Sequence, residues 1–225
     1  MTLDRTSLKA QLRRSVTDLG TQIALLPAAE PSLKEPINQQ VQALTAQNPT
    51  PNPLESANIA QLVATWELIY ASQGTVVTRR LGQSQAREVK SPVTLQRIWQ
   101  VLRAGEAGEE QRGPEGQGLQ AENGAQLAVP VVGVVQLRAL GTWTIAKADR
   151  TPNPNTAQVA FQRFGVQGLA LGPWPWQGPE LLLSVLPVLQ RSALWRVVYL
   201  DEDLYIGEGK TGNRFVFSRS SQESS

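Results

Sequence analysis

Tyr199-Leu-Asp-Glu-Asp-Leu-Tyr-Ile-Gly-Glu-Gly-Lys-Thr-Gly-Asn-Arg-Phe-Val-Phe-Ser-Arg219 is the stretch whose reading decides the fold. Its pattern is a strand, an acidic corner, a short strand, a glycine turn and a final strand. It also contains Gly207-x-Gly209-x-x-Gly212, the spacing of a dinucleotide fingerprint, and Gly209-Lys210-Thr211, which imitates the end of a phosphate loop. A phosphate loop requires a glycine five residues before Gly209, and Leu204 stands there. A dinucleotide fingerprint must open a helix, so that the phosphate meets the helix N-terminus. Arg214-Phe-Val-Phe217 follows instead, an alternating β pattern with Phe215 and Phe217 on one side. The glycines therefore predict a hairpin turn, and the chain reads as a β protein rather than a nucleotide enzyme.

Working back from the hairpin, period-two alternation recurs. Leu194 to Leu200 reads as a strand with Trp195, Val197 and Tyr199 on one face. Leu127 to Leu140, Thr142 to Ala148 and Thr156 to Phe164 read as strands, as do the stretch from Leu62, with Trp66, Leu68 and Tyr70 on one face, and Thr75 to Arg80. Thr94 to Leu102 and Leu181 to Leu189 are open to either a strand or a helix segment. Gly165 to Pro179, with Trp174 and Trp176 between prolines, reads as an edge crossing. Roughly eight to ten strands suffice to close a barrel around an internal cavity. Arg103 to Gln126 has scattered glycines among Glu and Gln, and reads as a mobile insertion.

The first 47 residues change period. Leu8, Leu12, Val16, Leu19, Ile23 and Leu26 recur at spacings of three and four, the face of one helix ended by Pro27. Ile37, Val41 and Leu44 make the stripe of a second, so residues 1–47 predict a helical hairpin. Asn48-Pro-Thr-Pro-Asn-Pro53 cannot continue a helix or enter a sheet interior. It places a boundary between the helices and a barrel over 48–219, with a tail at 220–225. Thr-Pro-Asn-Pro recurs at Thr151 to Pro154 with different flanks, and is read as shared turn chemistry.

Composition narrows the chemistry. The 225 residues contain no Cys and no His, which removes Ser-His-Asp and Cys-His catalysis, His- or Cys-ligated zinc and disulfides. A net charge of +2 gives no footing for nucleic acid. Met-Thr-Leu-Asp-Arg5 has no apolar leader, and the longest apolar run contains Pro187 and is too short to span a bilayer, so membrane contact is expected to be peripheral. No nucleophile-base pair stands out, and neither a metal nor a cofactor is expected.

The order of motifs carries a resemblance. The connector Asn48-Pro-Thr-Pro-Asn-Pro-Leu-Glu-Ser56, then Trp66-Glu-Leu-Ile-Tyr-Ala-Ser72, then Tyr199-Leu-Asp-Glu-Asp-Leu204, then the glycine hairpin with Arg214-Phe-Val-Phe217, together resemble the fibrillin family, the plastid lipid-associated proteins or plastoglobulins of plants and cyanobacteria. The similarity runs from about Leu8 to Arg219, with Arg103 to Gln126 unmatched. It implies a mainly β fold, a lipocalin-like antiparallel barrel preceded by helices. It implies a cyanobacterial type, since no transit peptide is visible. It further implies a non-enzymatic protein that binds a lipid, prenylquinone or carotenoid at the cytoplasmic side of the thylakoid membrane, in photoprotection or membrane maintenance. The family pattern after the acidic corner has two arginines where this chain has Tyr205 and Glu208, which points to a neutral ligand.

Candidate sites follow. Trp66, Tyr70, Trp143, Phe161, Trp195 and Tyr199 either line a ligand cavity or fill the core, and Tyr205 joins them as the residue that departs from the family pattern. Asp201 and Asp203 read as a structural corner paired with an arginine such as Arg214, against the alternative of a cation site. Arg5, Lys9 and Arg13 form a basic stripe, read as a solvated helix face or as a contact for anionic lipid. Trp174 and Trp176 are candidates for membrane or partner contact. The alternative function is a scaffold or assembly factor docked on a photosynthetic or prenyl-lipid synthesis complex.

Overall fold

The computed structural model describes residues 3–27, 31–75, 93–105, 118–130, 132–148, 151–171, 174–184 and 193–220. Residues 76–80 of the strand expected after Thr75, residues 185–189 of the apolar run and residues 221–225 of the tail lie outside them.

Among the described residues ten strands follow three α-helices: α1 (Arg5–Leu19), α2 (Thr21–Leu25), α3 (Glu35–Thr45), then β1 (Ala64–Ala71), β2 (Thr94–Ala104), β3 (Leu119–Val129), β4 (Gly133–Ala148), β5 (Thr151–Leu171), β6 (Trp174–Pro175), β7 (Leu181–Ser184), β8 (Ala193–Leu200), β9 (Leu204–Gly209) and β10 (Arg214–Arg219). Eight of them close a barrel in the order β4-β3-β2-β1-β10-β9-β8-β5, with β4 pairing β5 to complete the ring. Every pairing is antiparallel, as the lipocalin-like reading requires. The glycine-rich segment is a hairpin. Gly209 and Asn213 close it with a 2.9 Å bond from Gly209 N to Asn213 O, and Gly212 takes φ 76°, a left-handed conformation that favours glycine.

Three expectations are corrected. The first helix does not run to Pro27. Gly20 adopts φ 78° and ψ 148°, and the chain breaks there into α1 and α2. The break turns the second apolar stripe, so Ala24 and Leu25 are buried while Ile23 is 43% exposed. Second, Leu119 to Gln126 is not insertion loop but most of β3, and Arg103 lies in β2. Residues 106–117 lie outside the described residues. Third, Gly165 to Leu171 is the last third of the 21-residue β5, which pairs β8, then β7, then β6 along one edge.

Two hydrophobic clusters divide the molecule. One fills the barrel, with Trp66, Leu68, Leu102, Trp143, Val197, Tyr205 and Phe217 among its buried members. Leu54, Leu62 and the partly buried Ile59 close the end where β1 begins. There the two Thr-Pro-Asn-Pro segments meet, Leu54 N donating to Pro154 O at 2.9 Å. The second cluster lies between the helices and the outer wall, joining Leu12, Val16, Ile37, Val41 and Leu44 to Tyr70, Tyr199, Ile206 and Val216.

Candidate functional site: the aromatic barrel interior

Cross-strand partners share a sheet face, so the register sorts the candidate residues. Trp66 and Tyr205 are fully buried inside the barrel, with Trp143 2% exposed. Phe161 and Trp195 pack on the same cluster half-buried. Tyr70 and Tyr199 are not inside. The β1–β10 register shifts between Leu68 and Tyr70, and the β8–β9 register shifts between Val197 and Tyr199. A bulge of one residue turns the following side chain to the opposite face. Both tyrosines therefore point out under the helices, where Tyr70 donates to Asn38 Oδ1 at 2.8 Å and Tyr199 to Asp201 Oδ2 at 2.6 Å.

The interior aromatics touch in sequence. Trp66 meets Tyr205 edge-on at 5.1 Å, and Tyr205 stacks on Phe217 at 4.5 Å. Phe217 lies 6.4 Å from Trp195, which lies 6.2 Å from Trp143. Gly207 makes room for Trp195: a Cβ on it would sit 2.1 Å from the indole ring. A neutral hydrogen-bonded chain runs beside these rings. Tyr205 donates its hydroxyl to Gln100 Oε1, and Gln100 Nε2 donates to Asn123 Oδ1 at 2.8 Å. Burial pushes the Tyr205 phenol well above its ordinary range, and the nearby Trp195 N–H opposes that push. The phenol stays protonated.

Burial is graded along the barrel. The end near Trp66 is sealed. Toward the ends of β3 and β5 the apolar face continues outward, through half-buried Leu127 and Phe161 to Phe164, whose ring lies 6.3 Å from that of Phe161. Phe164 pairs Ala139 and Val166 pairs Leu137, which keeps them on the inward face of the sheet, 44% and 38% exposed. The outer face of the same strands is polar: Arg138 bonds Glu122 at 2.7 Å and Glu180 at 3.2 Å. Trp174 and Trp176, on the segment beside this extension, are 72% and 49% exposed, with Leu181 at 64% and Leu182 at 50%.

The acidic corner has a different partner from the one expected. Arg214 does not reach it. Arg214 bonds Glu208 at 3.2 Å, and Glu208 also holds Arg196 at 2.6 Å on the outer face. Asp201 instead takes the Lys9 ammonium at 2.8 Å, and Asp203 takes Lys9 and, at 2.9 Å, Arg13. Two members of the basic stripe thus fasten α1 to the barrel. Asp201 Oδ1 also accepts the amides of Asp203 and Leu204 at 3.1 and 2.9 Å. Burial raises the Asp201 carboxyl, but Lys9, Tyr199 and Asp203 outweigh it and hold it at about 2. Among the described residues no cluster of carboxylates could hold a metal ion.

Lys34 was not visible as special in the sequence. It is buried, and its ammonium donates to the carbonyls of Ala24, Leu26 and Ala71 at 3.1, 2.6 and 2.7 Å, clasping α2 to the end of β1. Asn213 is equally hidden. It accepts from Ser72 Oγ and Gln73 N and donates to Gly74 O at 2.7 Å, tying the last hairpin to the end of β1. Neither residue has a motif. Gln100 and Asn123 had no signal either: Gln100 lay in a stretch open to strand or helix, and Asn123 in the stretch read as an insertion.

No helix among the described residues is long and apolar enough to cross a membrane. Among curated proteins, none matches the sequence. The family model PAP_fibrillin matches residues 7–134, more than half of the chain. That match takes in α1 to β3, including the stretch read as an insertion, and ends before the closing hairpin. With a closed antiparallel barrel, helices docked on its wall and this match, the chain belongs to the PAP/fibrillin family of lipid-associated proteins.

Proposed function

We propose that the protein binds a neutral apolar small molecule, a prenylquinone, carotenoid or other lipid, on the aromatic face that runs from the barrel interior toward Phe164 and Val166. It does so without catalysis, as a peripheral protein on the cytoplasmic side of a cyanobacterial thylakoid membrane, in photoprotection or membrane maintenance. The observation that supports this reading is the continuous apolar face. It passes from Trp143 and Phe161 inside the barrel to exposed Phe164 and Val166 outside it. The replacement of an arginine by buried Tyr205 favours a neutral guest over an anionic one. Trp174 and Trp176 are suited to a membrane interface, where an indole is favoured at headgroup level.

Two measurements test the proposal. Protein taken from its native host should carry an extractable lipid, quinone or carotenoid, and the emptied protein should rebind it. If no such molecule co-purifies and titrations show no binding, the ligand reading fails. For the membrane contact, flotation with galactolipid vesicles containing phosphatidylglycerol should recover the protein, and Trp174→Ser with Trp176→Ser should lower the bound fraction about tenfold. Equal flotation of variant and parent would place the contact elsewhere. The exposed Trp174, Leu181 and Leu182 also favour a second reading, docking on a photosynthetic or prenyl-lipid synthesis complex. A stable complex recovered under gentle solubilisation and lost in the same double variant would support it.

A further inference from the structure

The barrel interior contains two buried indole donors, Trp143 Nε1 and Trp195 Nε1, that make no full hydrogen bond among the described residues. Their rings are neighbours at 6.2 Å, and Trp143 is 2% exposed. Trp66 shows the contrast, since its indole donates to Leu62 O at 2.9 Å. A buried donor without an acceptor is costly, so such a pair needs a reason.

The other polar groups of the interior do not supply one. Tyr205 spends its proton on Gln100, and Gln100 donates onward to Asn123. Trp195 Nε1 approaches the Tyr205 phenol in a hydrogen-bonding contact that opposes the upward push on that group, but without the geometry of a full hydrogen bond, so its N–H is only weakly engaged. An indole donates and cannot accept. What the interior offers a guest at this point is therefore two indole donors in an aromatic surround, next to half-buried Phe161.

We propose that the Trp143 and Trp195 indole N–H groups form a subsite for the carbonyl oxygen of a neutral, long-tailed ligand, so that the barrel selects carbonyl-bearing lipids over plain hydrocarbons. The inference rests on the apolar-ligand reading above and narrows it. A carbonyl is the fitting head group because it accepts without bringing a proton that itself needs a partner. Among the described residues, the cations Lys9, Arg13 and Arg138 are already engaged at the surface with Asp201, Asp203, Glu122 and Glu180, which favours a neutral acceptor over a carboxylate. The tail would follow the aromatic face toward Phe164 and Val166.

The test compares three probes of similar length by calorimetry: decyl-benzoquinone, a long-chain methyl ester and an alkylbenzene. Both carbonyl probes should bind about tenfold more tightly than the alkylbenzene, and the tighter of the two identifies a quinone or an ester as the source of the carbonyl. Trp143→Phe should lower carbonyl-probe affinity about fivefold, the worth of one neutral hydrogen bond, and leave the alkylbenzene unchanged. Replacing Trp143 with benzothienylalanine, which keeps the ring and removes the N–H, should do the same without a packing defect. In nitrogen-15 spectra of the unmodified protein, the Trp143 and Trp195 indole protons should move downfield when the quinone is added. Equal binding of all three probes with unmoved indole signals overturns the subsite while the apolar-ligand reading stands. Binding of none of them removes both.

Discussion

Asp201→Ala is expected to lower the unfolding free energy by about 4 kcal/mol, read from urea denaturation at neutral pH. The carboxylate is nearly buried and serves Lys9, Tyr199 and the amides of Asp203 and Leu204. Truncation leaves a buried phenol and two corner amides without an acceptor, and the part-buried ammonium with Asp203 alone. Asp201→Asn keeps an acceptor for the amides and should cost about half as much. The pH dependence has a definite sign. The folded carboxyl is held below its ordinary value, so the unfolded chain takes up the proton first. The stabilisation is present above about pH 4 and lost as the pH falls through about 2. Asp201→Asn should remove that part of the acid transition. A midpoint unchanged by Asp201→Ala would mean that α1 is not fastened through this corner.

Trp66→Ala should be of similar size, about 4 kcal/mol, because a fully buried indole leaves a cavity that a closed barrel cannot collapse around. The ring also packs edge-on to Tyr205, lies under the Arg219 guanidinium at 4.5 Å and bonds Leu62 O. Trp66→Phe keeps most of the packing and loses the N–H, so about 1 to 2 kcal/mol is expected. Should Trp66→Ala unfold at the parental urea concentration, the sealed end of the barrel is not where its stability resides.

Much of this architecture was legible. The hairpin was readable because Gly209 and Gly212 are followed by alternating aromatics, and a phosphate loop could be set aside at Leu204. The barrel was readable because Trp66, Trp195 and Phe217 recur in period-two strands. The sidedness of Tyr70 and Tyr199 was not. Each follows a bulge, and a bulge depends on the partner strand, which local alternation does not contain. Strand β3 was missed because its inward positions between Leu119 and Leu127 are Ala121, Asn123 and Ala125, too small or polar to announce a core. Gly124 sits where a Cβ would collide with Trp99 at 2.1 Å, so what looked like a loop residue is a packing necessity. The corner's partner was hidden by distance, since Lys9 and Asp201 are 192 residues apart.

That separation has a consequence for how the protein is made. Helix α1 leaves the ribosome early, yet the surface it lands on is built by Tyr199, Asp201, Ile206 and Val216. Strand β1 likewise waits for β10 as its neighbour. At ordinary elongation rates the interval between Lys9 and Asp201 is roughly 10 to 40 s. Throughout it, the nascent chain carries a bare apolar helix stripe and an unpaired strand edge. The span matched by the family model is therefore not a unit that can finish folding first, and a stalled or truncated chain would present both surfaces to chaperones or to lipid.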